Sequence, residues 1–200
     1  MQDMAAQRTD LNEETLPQAL AALGDVLASR GAHYEVIAIG GSALVLLGYI
    51  HRATRDLDLV ARIEQGQLVP AAPLPVPLVE AVADVGRALG LRLDWLNSGP
   101  ASLLEFGLPD GFAQRLARRQ YKGLTLYLAG RLDHIAFKLY AAVDQGPESK
   151  HAADLRALDP TPEELIAAAR WARTHDPSEG FRLHLRQALA HFGVRDDAGI

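Results

Sequence analysis

An α/β fold of the α+β kind, a small mixed sheet with a C-terminal helical layer, is predicted by three features of this 200-residue chain. Short β-branched runs occur only before residue 130, and helical periodicity continues without strands after Arg131. A glycine turn, Gly40-Gly41-Ser42, joins the first strand-like run to a short helical one. The expected organisation is an N-terminal helix over 1–31, a core over 32–130 and a helical region over 131–200.

Thr15 to Arg30 carries Leu16, Leu20, Leu23, Val26 and Leu27 at helical spacing, with Asn12 as a cap and Gly31 as a stop. Tyr34 to Ile39 reads as a strand, Ala43 to Leu47 as a short helix ended by Gly48, and Arg55 to Ile63 as a second strand. Four prolines between Pro70 and Pro77 make a stiff connector. A helix from Leu78 to Leu89, a strand from Leu91 to Leu96, a turn over Asn97 to Pro100 and a strand from Leu124 to Leu128 follow. Helices are then expected at Leu132 to Val143, around Lys150 to Leu158, at Pro162 to Thr174 and at Glu179 to Phe192. Pro162-Glu163-Glu164 suits a helix start, because proline fits the first turn and carboxylates oppose the positive helix end.

Composition narrows the function classes. With 48% hydrophobic and 22% charged residues the chain can bury a core, which excludes disorder and fibrous repeats. No apolar run reaches the length of a membrane span, and the opening MQDMAAQRTDLNEE is polar and acidic, so a cytoplasmic protein without a membrane partner is expected. The absence of cysteine excludes disulfides, thiol catalysis and Cys-rich zinc sites, leaving Asp, Glu and His as metal ligands. The net charge of -5 is uneven. Residues 1–35 set Arg8 and Arg30 against Asp3, Asp10, Glu13, Glu14, Asp25 and Glu35, a net of -4, whereas residues 111–156 sum to +4. That basic stretch is compatible with a polyanionic partner or with solvated helix faces.

Asp56-Leu57-Asp58 is the sharpest motif. Side chains at i and i+2 of a strand share a face, so the carboxylates converge and repel unless a cation lies between them. Mg²⁺ or Mn²⁺ suits such a pair, keeping waters and substrate phosphates as further ligands. Gly40, Gly41 and Ser42 allow close backbone approach and offer donors to a phosphate, or else form a tight turn with a helix cap. Arg52 and Arg55 could face phosphate, be solvated or pair with Glu64. His51 and His151 read as isolated surface imidazoles.

The stretch IAIGGSALVLLGYIHRATRDLDLV, residues 37–60, resembles the nucleotidyltransferase superfamily of DNA polymerase β type, whose signature is a Gly-Ser or Gly-Gly turn followed by Asp-x-Asp. HIAFKLYAAVD (134–144) and SKHAADLRAL (149–158) are similar to later motifs of AbiEii-type and MenT-type toxins. WLNSGP and LPDGF resemble their less characterised relatives. The resemblance spans most of residues 34–192. It implies Asp56 and Asp58 as metal ligands, Gly41 and Ser42 as triphosphate binders, and Lys138 as a phosphate-contacting lysine; with Gly40, Arg55 and Lys150 these make the expected nucleotide-binding set. Lys150 and Asp154 match the third motif, although Asp154 stands there with one acidic residue fewer than the toxins often show, and could orient Lys138 or Lys150 or help bind metal. Many members of the superfamily use a third carboxylate on a neighbouring strand; Asp94, inside the strand-like Leu91-Arg92-Leu93-Asp94-Trp95, is the candidate, with an exposed strand end as its alternative. The implied function is transfer of a nucleoside monophosphate from a nucleoside triphosphate to an acceptor hydroxyl, with RNA or a tRNA 3′ end as acceptor and an antitoxin protein as partner. The alternatives are a non-catalytic nucleotide- or partner-binding module and protein nucleotidylation.

Overall fold

The structure, a computed structural model, describes residues 9–194 and divides into two compact units. The first holds the described residues up to Ala101 together with Arg118–Tyr127; the second holds Ser102–Ala117 and the described residues from Leu128 onward. Most of the opening stretch that carries the no-leader expectation lies outside the described residues.

In the first unit, helix α1 (Thr15–Ser29) starts where the Asn12 side-chain oxygen accepts the backbone N–H groups of Glu14 and Thr15, both at 2.9 Å. Leu16, Leu20, Leu23 and Leu27 form its fully buried stripe, and each contributes about 1.5–3 kcal/mol by leaving water. Gly24 sits on that packed side. A Cβ there would lie 2.1 Å from the Tyr121 carbonyl oxygen, so only glycine lets the helix come this close.

The sheet contains six strands: β1 (Tyr34–Ile39), β2 (Leu57–Glu64), β3 (Gln67–Pro70), β4 (Leu96–Asn97), β5 (Ala117–Tyr121) and β6 (Leu124–Leu128). Their order is β3-β2-β1-β6-β5, with β4 pairing β2. β2 is antiparallel to β1 and β3 and parallel to β4, which makes the sheet mixed. β3 and β5 escape periodicity reading because their side chains are mostly exposed and lack an apolar face. The β2–β3 hairpin turns on Gln65 and Gly66, both left-handed, at φ 51° and 77°. Glutamine is an uncommon residue for that conformation, so the turn carries no strong sequence signal.

The expected strand over Leu91–Leu96 is corrected to the two residues of β4. Helix α3 (Val76–Leu89) begins inside the proline run and ends at left-handed Gly90. From there the chain is drawn against the helix: a Cβ at Gly86 would meet the Arg92 carbonyl oxygen at 2.6 Å, and buried Trp95 donates its indole N–H to the Val82 carbonyl at 2.9 Å. Packing on α3 thus bends residues 92–95 out of any ladder, and pairing begins only once Leu57 N–H reaches the Trp95 carbonyl, at 2.6 Å.

The second unit is helical: α4 (Leu103–Phe106), α5 (Arg131–Gln145), α6 (Lys150–Ala157), α7 (Pro162–His175) and α8 (Glu179–His191). Ser149, Thr161 and Ser178 cap the last three through their hydroxyls. At α7 the cap is reciprocal, with Thr161 N–H donating to Glu164 at 2.9 Å and Glu164 N–H to the Thr161 hydroxyl at 3.3 Å. Phe137 and Tyr140 of α5 pack edge-on against Trp171 of α7, at centroid distances of 5.4 and 5.9 Å. No helix among the described residues is long and apolar enough to cross a membrane.

Candidate active site

β1 ends at Ile39, whose cross-strand partner is Asp58, and the chain enters helix α2 (Gly40–Leu46) through Gly40 at φ +83°. A Cβ at Gly40 would stand 3.0 Å from the Asp58 Oδ2, so glycine is required both by the backbone angle and by the carboxylate lying against it. Glycine turn and Asp-x-Asp are therefore neighbours in space. Gly41 backs onto the Thr54 methyl and the half-buried Arg52, whose Nη2 lies 3.2 Å from where a Cβ would be.

Ser42 is engaged with its neighbours in the protein. It is 1% exposed, and its hydroxyl donates to the Asp56 carbonyl at 2.5 Å. With that proton used, Thr54 donates to the Ser42 oxygen, also at 2.5 Å. Thr54 is further held by a two-way backbone bridge to Leu11, both bonds 2.7 Å. Ser42 and Thr54 thus fix the backbone that presents Asp56. Thr54 is a residue that sequence reading missed, because its burial two positions before the first aspartate has no local signal.

Asp56 immediately precedes β2 and is half-buried; Asp58 lies within β2, also half-buried. Two carboxylates spaced i, i+2, one pressed against a glycine, are a hard-oxygen donor set that fits Mg²⁺ or Mn²⁺ completed by phosphate and water oxygens. Among the described residues no group of three Asp, Glu or His side chains is arranged to hold a metal. The expected placement of Asp94 in a strand is corrected: it lies in the turn before β4, exposed, and takes a two-point contact from Arg92, Nε to Oδ1 at 3.0 Å and Nη2 to Oδ2 at 2.9 Å. The strand position opposite Asp58 belongs instead to Asn97, whose side-chain oxygen accepts the Gly99 N–H at 2.8 Å.

The second unit brings two other expected residues together. Lys138 of α5 and Asp154 of α6 are 4% and 2% exposed and meet at 2.7 Å, a buried ion pair between facing helices. One turn before Lys138, fully buried His134 bonds the Gly130 carbonyl through Nδ1 at 3.0 Å, while its Nε2 meets no hydrogen-bond partner among the described residues. Burial is the main reason its pKa falls to about 4, with the Lys138 charge acting in the same direction, so the ring is neutral near pH 7. Lys150 opens α6 at the surface, and Arg55 is exposed in the first unit. Glu64 pairs with Arg62, which replaces its suggested pairing with Arg52 or Arg55.

Four of the eight cations of the basic stretch form ion pairs with carboxylates. Arg115 pairs with Asp133, Lys122 with Asp25, Arg131 with Glu164 and Lys138 with Asp154. His51, expected to be isolated, bonds Glu13.

β1 thus passes directly into α2 at Gly40, beside Asp58 of the mixed sheet's β2, with Asp56 just before that strand. A family model described as "Nucleotidyltransferase of unknown function (DUF6036)" matches residues 15–157. The chain belongs to this family of nucleotidyltransferases. No curated protein and no solved structure matches it.

Proposed function

We propose that the chain is a metal-dependent nucleotidyltransferase that moves a nucleoside monophosphate from a nucleoside triphosphate to an acceptor hydroxyl. The observation that carries this reading is the position of the Asp58 carboxylate, 3.0 Å from where a Cβ at Gly40 would stand, which sets left-handed Gly40 beside the Asp-x-Asp segment. Asp56 and Asp58 would hold Mg²⁺ or Mn²⁺, which when bound supplies charge neutralisation for the phosphates. The protein's own part is positional. Ser42 and Thr54 hold the Asp56 backbone, β1 pairing holds Asp58, and Gly40 leaves room for the carboxylate.

The likeness of the Lys138 and Asp154 motifs to toxin nucleotidyltransferases supports an RNA or tRNA acceptor and an antitoxin partner as the finer reading. The Arg92–Asp94 pair favours a second reading, nucleotide binding without transfer, because it leaves the two aspartates without an uncommitted third carboxylate. Incubating the protein with each α-labelled triphosphate, Mg²⁺ and total RNA or lysate protein separates these readings. Label should enter RNA with wild type and be lost with Asp56→Asn, which removes one charge at nearly constant shape. Label in protein redirects the acceptor to protein nucleotidylation. Binding of triphosphate without any labelled product supports the second reading, and unaltered transfer by Asp56→Asn places the chemistry elsewhere.

A further inference from the structure

We infer that Arg92 is a phosphate-contacting residue of the active site and that Asp94 acts through it, as a positioning residue rather than as a third metal ligand. This rests on the proposed nucleotidyl-transfer site and assigns a residue to it that no motif marks.

The placement follows from the backbone. β2 is flanked near Asp58 by β1 on one edge and by β4 on the other. The segment leading into β4 is locked to the start of β2 by the bond from Leu57 N–H to the Trp95 carbonyl, at 2.6 Å, and the turn closed by Trp95 N–H on the Arg92 carbonyl, at 3.3 Å, keeps Arg92 next to that anchored residue. Trp95, buried and bonded to Val82, and Gly86, packed on the Arg92 carbonyl, hold this segment from behind. Arg92 therefore starts from a fixed backbone position.

Its side chain is also fixed. The two-point contact with Asp94 aligns the guanidinium through Nε and one Nη, leaving the remaining Nη and its outward N–H groups for another partner. The hydrogen bond and charge of Asp94 and, more weakly, the charge of Asp56 raise the Arg92 pKa. A planar guanidinium, already oriented, suits a phosphate oxygen bidentately and loses little entropy on binding it. The pair is partly exposed, at 39% for the Arg92 side chain and 64% for Asp94, so a ligand can reach it. A pair that served only as a surface ion pair would contribute little to stability.

If Asp94 were a metal ligand, its charge would matter directly and independently of Arg92. If it orients Arg92, its value vanishes when Arg92 is gone. A double-mutant cycle reads this difference. The probe is inorganic tripolyphosphate with Mg²⁺, titrated calorimetrically into wild type, Arg92→Ala, Arg92→Lys, Asp94→Ala, the Arg92→Ala/Asp94→Ala double variant and Asp56→Asn. Far-UV circular dichroism and urea unfolding accompany each variant. Arg92→Ala should weaken binding about tenfold or more, the loss of one charge-assisted contact. Arg92→Lys should recover part of it. Asp94→Ala alone should weaken binding less than Arg92→Ala, and the double variant should equal Arg92→Ala, with unfolding midpoints close to wild type throughout.

Three results would overturn the inference, each in a distinct way. Wild-type affinity in Arg92→Ala, with binding lost in Asp56→Asn, removes Arg92 while leaving the proposed function standing. Losses that add in the double variant make Asp94 an independent ligand. Absence of binding by wild type itself removes the nucleotide site and, with it, the role of Arg92.

Discussion

Gly40→Ala tests the contact on which the site rests, and Gly48→Ala supplies its control. Both glycines are left-handed, at φ +83° and +77°, so an alanine at either should cost about 1–2 kcal/mol in backbone strain. Their surroundings differ: a Cβ at Gly48 meets nothing within 4 Å, whereas at Gly40 it meets the Asp58 Oδ2 at 3.0 Å. The carboxylate must then shift by a few tenths of an ångström or rotate away, and small displacements of reacting groups cost up to about 100-fold in rate. In urea unfolding the two variants should therefore fall together, each about 1–2 kcal/mol below wild type. In titrations with Mg²⁺ and methylene-bridged triphosphate analogues of each base they should part, with Gly40→Ala weakened roughly tenfold to 100-fold and Gly48→Ala binding as wild type. Equal affinities for the two variants would refute the reasoning, because a Cβ meets the Asp58 carboxylate at Gly40 and meets nothing at Gly48.

Ser42→Ala should lower stability by about 1–3 kcal/mol, since it strands the Asp56 carbonyl and the Thr54 hydroxyl; a loss of nucleotide affinity with unchanged unfolding would instead make the serine a ligand contact. Lys138→Met should cost about 3–5 kcal/mol by leaving Asp154 charged and buried, and Lys138→Met/Asp154→Leu should recover much of that, so a cost under about 1 kcal/mol for the single variant would contradict the buried pair. His134 makes the protein acid-sensitive: because burial lowers its pKa to about 4, the unfolded ring takes up a proton first as pH falls below about 6.5, and stability declines by up to about 1.4 kcal/mol per unit until the folded ring protonates near 4. His134→Gln should flatten that part of the stability curve, and an unchanged slope would show that the ring titrates normally.

What was legible in the chain was what local chemistry dictates. The run at Tyr34–Ile39, the leucine stripe of α1, the Asn12 cap and the acidic start of α7 each carry their signal within a few residues and are found where they were read, while the strand read over Arg55–Ile63 forms over Leu57–Glu64. The Asp56-Leu57-Asp58 spacing after the glycines was likewise visible, although Asp56 lies just before β2 and not inside it.

Only tertiary structure decided the rest. Whether Leu91–Leu96 becomes a strand depends on Trp95 and Gly86 packing against α3, a competition that no local window contains. The same packing turned Asp94 from a strand carboxylate into the partner of Arg92. Ser42 has the same hydroxyl in any context, but residues 12 and 14 positions away, Thr54 and Asp56, determine that it serves the backbone. Lys138 and Asp154 were read as motif residues, with Lys138, Lys150 and a metal all open as partners of Asp154, and the packing of α5 on α6 makes the two a buried pair. A side chain's charge and hydrogen-bonding capacity belong to the sequence; which partner uses them depends on contacts between segments distant along the chain.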